Sequence, residues 1–199
     1  SEKRVLLVEK RPALGPWNEV LASAASEIMQ LRRDSVERVS TEFAAAVSLS
    51  GLSLPLVQIR YRPSISTEEI SEEIVLHTLE SFERRERDKS RPLVGPHLDD
   101  VEVLFDGRSI RRVGSAGERK VLGLLLAAAR GGLLRAAERN PIYLLDDADT
   151  ELDRGRLEAV FGVFMAAQQV LVSSNRAEVW EMAREAVRWR LDEGSLGPA

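Results

Sequence analysis

The sequence predicts an α/β fold: a short, mainly parallel sheet with flanking helices, joined to a long helical arm and a β-hairpin. Three observations carry that expectation. Apolar runs at 142–145 and 170–172 end in polar residues, Asp146-Asp147 and Ser173-Ser174, with a helical pattern between them. Residues 17–49 hold one apolar face at helical spacing. Asp106-Gly107 separates two extended runs, the strongest short-range hairpin signal.

In chain order, residues 1–10 look like the tail of a helix rather than a protein start, with no initiator methionine. An excised segment is therefore expected, with Ser1 a cloning remnant. Gly15-Pro16 punctuates the chain, and proline suits the first helical position. Apolar side chains at 17, 20, 21, 24, 25, 28, 31, 36, 39, 43, 46 and 47 then keep one face for roughly nine turns. Such length points to an arm or the base of a coiled coil. Two stacked helices broken near Arg33-Asp34 are the alternative. Residues 56–62 alternate as a half-exposed strand does, and Pro63 ends it.

Ser66 or Thr67, followed by Glu69, predicts a capped helix start. That helix is expected to reach about Arg87, burying Ile70, Ile74, Val75 and Leu79, with His77 in a structural role. The hairpin runs flank Asp106-Gly107 at 101–105 and 108–112. Ser115 caps the next helix, which Gly131-Gly132 is expected to break or bend. The two apolar runs read as buried strands. A helix over 154–167 should present Leu157, Val160, Phe161 and Phe164; another should cover 177–186, with a last strand over 187–191. Parallel pairing would bring both polar strand ends to one sheet edge.

With 199 residues, 44% hydrophobic and 30% charged, the chain has the makeup of one large soluble domain, or a domain with an appendage. The absence of cysteine excludes disulfides and thiolate metal sites. No apolar run approaches the roughly 18 residues of a membrane span, and no signal peptide is visible. A cytoplasmic location with no membrane partner is expected. Net charge of −4 provides no global basic field, yet 24 of the 28 basic residues are arginine. Arg32-Arg33, Arg84-Arg85-Arg87 and Arg108-Arg111-Arg112 cluster locally. Arginine-rich composition alone accounts for this; a phosphate-contacting face is the alternative.

The chemistry concentrates at two places. Asp146 and Asp147 stand at the carboxyl end of a strand, where open α/β sheets bind ligands, and paired acids call for a cation or polar companion. Ser115-x-Gly117 begins a helix whose free N–H groups make a natural anion seat. His97, Asp99 and Asp100 have no recognised zinc spacing.

Taken in order, these pieces resemble the C-terminal portion of the RecF family, DNA replication and repair ATPases of the ABC/SMC-like class. Val94-Gly-Pro-His97-x-Asp99-Asp100 resembles its Gly-Pro-His-Arg-Asp-Asp segment. Ser115-Ala-Gly117-Glu118-Arg119 resembles its signature motif, and Leu144-Leu-Asp146-Asp147 its Walker B strand. Thr150-Glu-Leu-Asp153 is similar to the D-loop, and Gln169-Val-Leu-Val-Ser173-Ser174 to the strand carrying the switch position. The match is good over 90–176, whereas 17–91 corresponds only to the helical arm. The resemblance implies two parts: a helical arm or lobe with one strand over 1–90, and the C-terminal half of an ABC-type ATPase head over 91–199.

It also implies a mechanism in which ATP and Mg²⁺ lie between two subunits. Asp146 would hold Mg²⁺ and Asp147 would polarise the attacking water. Ser115, the Gly117 backbone and Glu118 would face the γ-phosphate of the partner's nucleotide. Asp153 would couple the two sites, and Ser173 or Ser174 would sense the γ-phosphate. The implied partners are a second subunit, DNA at single-strand gaps or junctions, and RecO and RecR. Arg108, Arg111 and Arg112 are the candidate DNA contacts.

Departures from the family pattern qualify this. No Gly-x-x-x-x-Gly-Lys-Ser/Thr occurs, and none of Lys3, Lys10, Lys89 and Lys120 follows a glycine. The P-loop half is therefore missing, and the chain alone is expected neither to hydrolyse ATP nor to hold a cofactor tightly. Leu98 stands where the family has arginine, Glu118 replaces glutamine and Asp149 replaces an apolar residue. Two alternatives remain: a non-catalytic interaction or DNA-binding module derived from such a head, and a metal-dependent phosphoesterase using Asp146, Asp147 and Asp149.

Overall fold

The computed structural model describes residues 15–67, 69–165 and 167–198, so the helix tail expected over 1–10 lies outside the described residues. The chain divides into two units. One takes the described residues through Ala45 together with Ser53–Gly114; the other takes Ala46–Leu52 and the chain from Ser115 onward.

Helix α1, Gly15–Ser50, is a single run of 36 residues. It passes Arg33-Asp34 unbroken, so the two-helix alternative does not hold. No glycine or proline interrupts it between Pro16 and Gly51. Gln30 Nε2 also bonds Asp34 Oδ1 at 2.8 Å across that point. Ala22, Ala25 and Met29 on its buried face meet Ile65, Val75, Leu79 and Val94 to form the core of the first unit.

Strand β1, Val57–Arg62, pairs antiparallel with β2, Asp100–Phe105, setting Val57 opposite Phe105. Asp106 and Gly107, at φ 45° and 76°, form the expected tight hairpin turn. The returning strand is shorter than predicted. β3 covers only Arg108–Ser109, because the chain coils into α3, Ile110–Val113, where Gly114 N–H closes onto Ile110 O at 2.9 Å.

Helix α2, Glu72–Lys89, starts later than the Ser66 or Thr67 cap predicts. Thr67 spends its hydroxyl on Glu69 O at 2.6 Å, and Ile65 and Ile70 enter the core ahead of the helix. Ser71 is the true N-cap, its Oγ accepting from Ile74 N–H at 3.3 Å. His77 is exposed on this helix.

In the second unit α4, Ala116–Ala136, runs straight through Gly131-Gly132, both buried. The predicted break is absent because Gly131 serves close approach instead: a Cβ there would lie 1.5 Å from Tyr143 Oη. The Tyr143 ring meets Phe164 edge-on at 4.7 Å. Strands β4, Ile142–Asp146, and β5, Gln169–Ser173, pair in parallel, joined through α5, Arg154–Phe164. Leu157, Val160 and Phe164 of α5 are buried as predicted.

Two expectations fail here. The strands are not buried on both faces: Leu144 is 76% exposed and Leu171, opposite it, 48%. Among the described residues this sheet has only two strands, so one face lacks a covering layer. The helix expected over 177–186 is only a 3₁₀ turn, Ala177–Trp180, where Trp180 packs edge-on against Phe161 at 5.2 Å. The last predicted strand appears as β6, Trp189–Asp192. It forms a hairpin with an unpredicted β7, Ser195–Pro198, through Glu193-Gly194. Among the described residues no helix is long and apolar enough to cross a membrane.

Candidate functional site

Parallel pairing sets Asp146, at the carboxyl end of β4, directly opposite Ser173 at the end of β5. Both are exposed, and Ser173 Oγ donates to Asp146 Oδ1. The two polar strand ends therefore share one sheet edge, as the alternation of strands and helices predicts. Asp147 follows, also exposed, with φ 48°, a left-handed conformation that costs a non-glycine residue energy. Its carbonyl is held from two sides: Lys120 Nζ on α4 donates to it at 2.8 Å and Thr150 Oγ1 at 2.9 Å. Glu151 is left-handed too, at φ 63°. Asp153 then caps α5, its Oδ1 accepting from Arg156 N–H at 2.9 Å.

Asp149 turns the other way. It is 1% exposed, and Ser174 Oγ donates to its Oδ2 at 2.9 Å. Ser174 is thus engaged with this buried carboxylate, while Ser173 engages Asp146. Among the described residues no three His, Asp or Glu side chains assemble as a metal-holding group. With Asp149 directed inward, a three-acid phosphoesterase centre is not formed by Asp146, Asp147 and Asp149. Mg²⁺ asks less of a protein: one or two carboxylates, with phosphates and water completing its octahedron. Asp146, exposed and braced by Ser173, fits that demand.

The second part of the site is the start of α4. Ser115 is exposed and forms a full capping box with Glu118. Glu118 N–H donates to Ser115 Oγ at 3.2 Å, while Ser115 N–H and Oγ donate to Glu118 Oε2 at 2.7 and 2.8 Å. Those two donors hold the Glu118 carboxyl below its ordinary range, with the Arg156 charge adding to the effect. Gly117 is needed locally: a Cβ there would lie 2.9 Å from Glu151 O. The group approaching this glycine is thus the acidic turn's own backbone.

No family model matches the chain. The DNA replication and repair protein RecF of Anaeromyxobacter sp. strain Fw109-5 is 33% identical over 191 residues, covering 89% of this chain and 51% of the relative. The RecF proteins of Anaeromyxobacter dehalogenans and Frankia alni are each 34% identical, over 80% and 81% of this chain and 45% of each relative. Two solved structures of the recombination mediator protein RecF, described as RecF-ATPrS and RecF-ATP in the RecFOR pathway, match with TM-scores of 0.77 and 0.78. Each match covers all of this chain and 55% of the other, at 20% identity.

The chain is RecF-like. It spans about half the length of the curated relatives it matches, and its fold is that of the C-terminal half of RecF.

In the first unit of this RecF-like chain, the Gly-Pro-His segment delivers Asp99 to a buried junction between segments. Its side chain is 2% exposed and joins three elements. Arg32 on α1 donates to Oδ2 at 2.8 Å, Tyr61 on β1 at 2.5 Å, and Ser64 N–H reaches Oδ1 at 2.9 Å. Burial pushes the Asp99 carboxyl up, but these donors together hold it below the usual value. Burial, then the carboxylate beside it, drives the Tyr61 hydroxyl well above its ordinary range. A cleft of about 360 Å³ lies over Arg32, Tyr61, Asp99 and Asp100. Asp99 already accepts three hydrogen bonds from the protein there. Arg108, Arg111 and Arg112 are exposed, with Arg111 3.8 Å from Asp100.

Sequence reading missed Lys120 and Arg176, which hold the turn of the candidate site. Neither belongs to a spacing pattern; each acts through backbone carbonyls that only the folded turn presents. The Ser115-x-x-Glu118 box was readable from the same spacing rule applied at Ser66.

Proposed function

We propose that the chain is the C-terminal half of a RecF-like DNA repair ATPase. Residues 91–199 would supply half of its nucleotide-binding head, and residues 1–90 its arm. ATP with Mg²⁺ would be held at a subunit interface, and clamping of the dimer would retain DNA. The observation that carries this reading is Asp146 braced by Ser173 at an open sheet edge, in a unit whose α4 begins with an exposed Ser115.

In this reading Asp146 is the Mg²⁺ ligand and Asp147 orients and polarises the attacking water. Ser115 and the Gly117 backbone meet the γ-phosphate of the partner's nucleotide, with Glu118 bracing that helix start. Asp153 couples the two sites, and a serine of the Ser173-Ser174 pair senses the γ-phosphate. Bound Mg²⁺ supplies charge neutralisation on the phosphates. Arg108, Arg111 and Arg112 contact DNA phosphates, and RecO and RecR are the partner proteins, in the cytoplasm. The P-loop comes from the N-terminal half, and the uncovered Leu144 and Leu171 face supports a missing layer.

The test is reassembly. Mixed with the P-loop-bearing N-terminal half of a RecF homologue, the chain should show Mg²⁺-dependent ATPase activity. Asp147→Asn should lower it by on the order of 10²-fold or more. A mixture that folds and associates yet hydrolyses nothing would refute the ATPase reading. A second reading, a non-catalytic DNA-binding module, draws on the Glu118 carboxylate that already occupies the Ser115 donors. DNA binding with a steep salt dependence and no response to ATP would favour it.

A further inference from the structure

Asp149 has no part in the chemistry proposed above, yet the fold buries it at a cost. It is 1% exposed, and its Oδ1 has no hydrogen-bond partner. A carboxylate in that condition loses solvation that its one hydrogen-bonded oxygen does not fully recover.

Its contacts form a closed ring between two loops. Ser174 Oγ donates to Asp149 Oδ2 at 2.9 Å and itself accepts Arg176 N–H at 2.9 Å. Arg176 Nη1 returns to donate to Asp149 O at 2.9 Å, with its Nε 3.9 Å from Oδ2. One loop follows β5, which ends at Ser173, and carries Ser174 and Arg176; the other follows β4, which ends at Asp146, and carries Asp147. The β4 loop is strained, with two non-glycine residues at positive φ, and strained backbone persists only where its surroundings over-determine it. Lys120 grips that turn from α4, and the Asp149 ring grips it from β5.

We propose that Asp149 is a positioning residue: with Ser174 and Arg176 it straps the loop after β5 onto the turn after β4. The two loops then hold Ser173 and Asp146 in one fixed geometry. A hydroxyl has one hydrogen, and Ser174 commits its own to Asp149. Ser173 commits its own to the exposed Asp146, so of the two serines Ser173 is the one held beside the proposed Mg²⁺ ligand at the open edge. This last assignment rests on the nucleotide-pocket reading; the strap does not.

Amide hydrogen exchange on the full chain tests the strap, read across the loops. Thr150 and Leu152 N–H donate within the β4 turn, the latter to Asp149 O at 3.4 Å. Arg176→Gln, on the opposite loop, should speed exchange at Thr150 and Leu152 about ten-fold, the scale of one lost charged hydrogen bond. Asp149→Leu should do the same at the Arg176 amide, with Asp149→Asn in between because it keeps an acceptor for Ser174. Melting temperature and exchange in β1 and β2 should stay as they were. If Asp149→Leu fails to fold, Arg176→Gln decides alone, since its side chain is 41% exposed. Unchanged exchange on the opposite loop, or a uniform rise along the chain, would overturn the strap.

In the reassembled ATPase, Ser173→Ala should reduce turnover about ten-fold more than Ser174→Ala, again the scale of one charged hydrogen bond. Equal losses would overturn the serine assignment. Should the wild-type mixture be silent, the nucleotide reading falls and takes that assignment with it, while the exchange data still judge the strap.

Discussion

Gly131 shows how much a single hydrogen can decide. Its missing Cβ is where the Tyr143 hydroxyl passes on its way to Ala128 O, 3.4 Å away. Gly131→Ala should destabilise the chain by about 1–3 kcal/mol through overpacking, visible as a lower melting temperature. Tyr143→Phe should recover part of that loss in the double variant, because it removes the nearer of two atoms in conflict, Oη, and leaves Cζ, 2.5 Å from the added Cβ. An additive double variant would show that the clash is absorbed elsewhere. Sequence alone misread this glycine as a helix break, since a backbone hinge and a close approach carry the same letter. Glu118 was legible by type but not by state. Its folded carboxyl pKa is lowered, so the cap it supports is complete above the unfolded value, about 4.3, and is lost as pH falls through the folded one. A carboxyl titration followed by NMR should place Glu118 below an unfolded peptide, and Ser115→Ala should bring it back. Coincident midpoints in the wild type would refute the cap's role.

Between elements, the stronger tie is Asp99, which fastens α1 to β1 and to the loop ahead of α2. Tyr61→Phe removes one of its donors and should cost about 1–3 kcal/mol. The sign of the pH effect follows from the raised folded pKa of Tyr61. The stability it contributes is whole below the ordinary tyrosine value near 10 and is lost as pH climbs toward the folded value. Denaturant midpoints measured across that range should fall for the wild type and stay flatter for Tyr61→Phe; parallel curves would count against it. Elements whose signal is local were readable from sequence: the 36-residue helix, the Asp106-Gly107 turn and the two apolar strands. Those decided by distant contacts were not. Ile65 and Ile70 go to the core and push the start of α2 back to Ser71, and Trp180 docks on Phe161 and stops a helix that propensity favours.

For the molecule as a whole, the sequence located the acidic edge correctly but described its sheet as if finished. Runs such as Ile142-Tyr-Leu-Leu145 read as strands covered on both sides, and the described residues cover one. Tyr143 is buried while Ile142 and Leu144 stand in solvent at 56% and 76%. Periodicity records what a strand is suited to, whereas burial depends on which neighbours the same polypeptide supplies. The C-terminal hairpin is a smaller instance. Trp189 and Leu191 share one side of it with Leu196, and all three are more than half exposed. An indole left in water emits at long wavelength, and a partner that dries it moves the colour toward the blue. Trp189, the most exposed of the chain's three tryptophans, thus adds an emission that shifts with whatever comes to rest on that side.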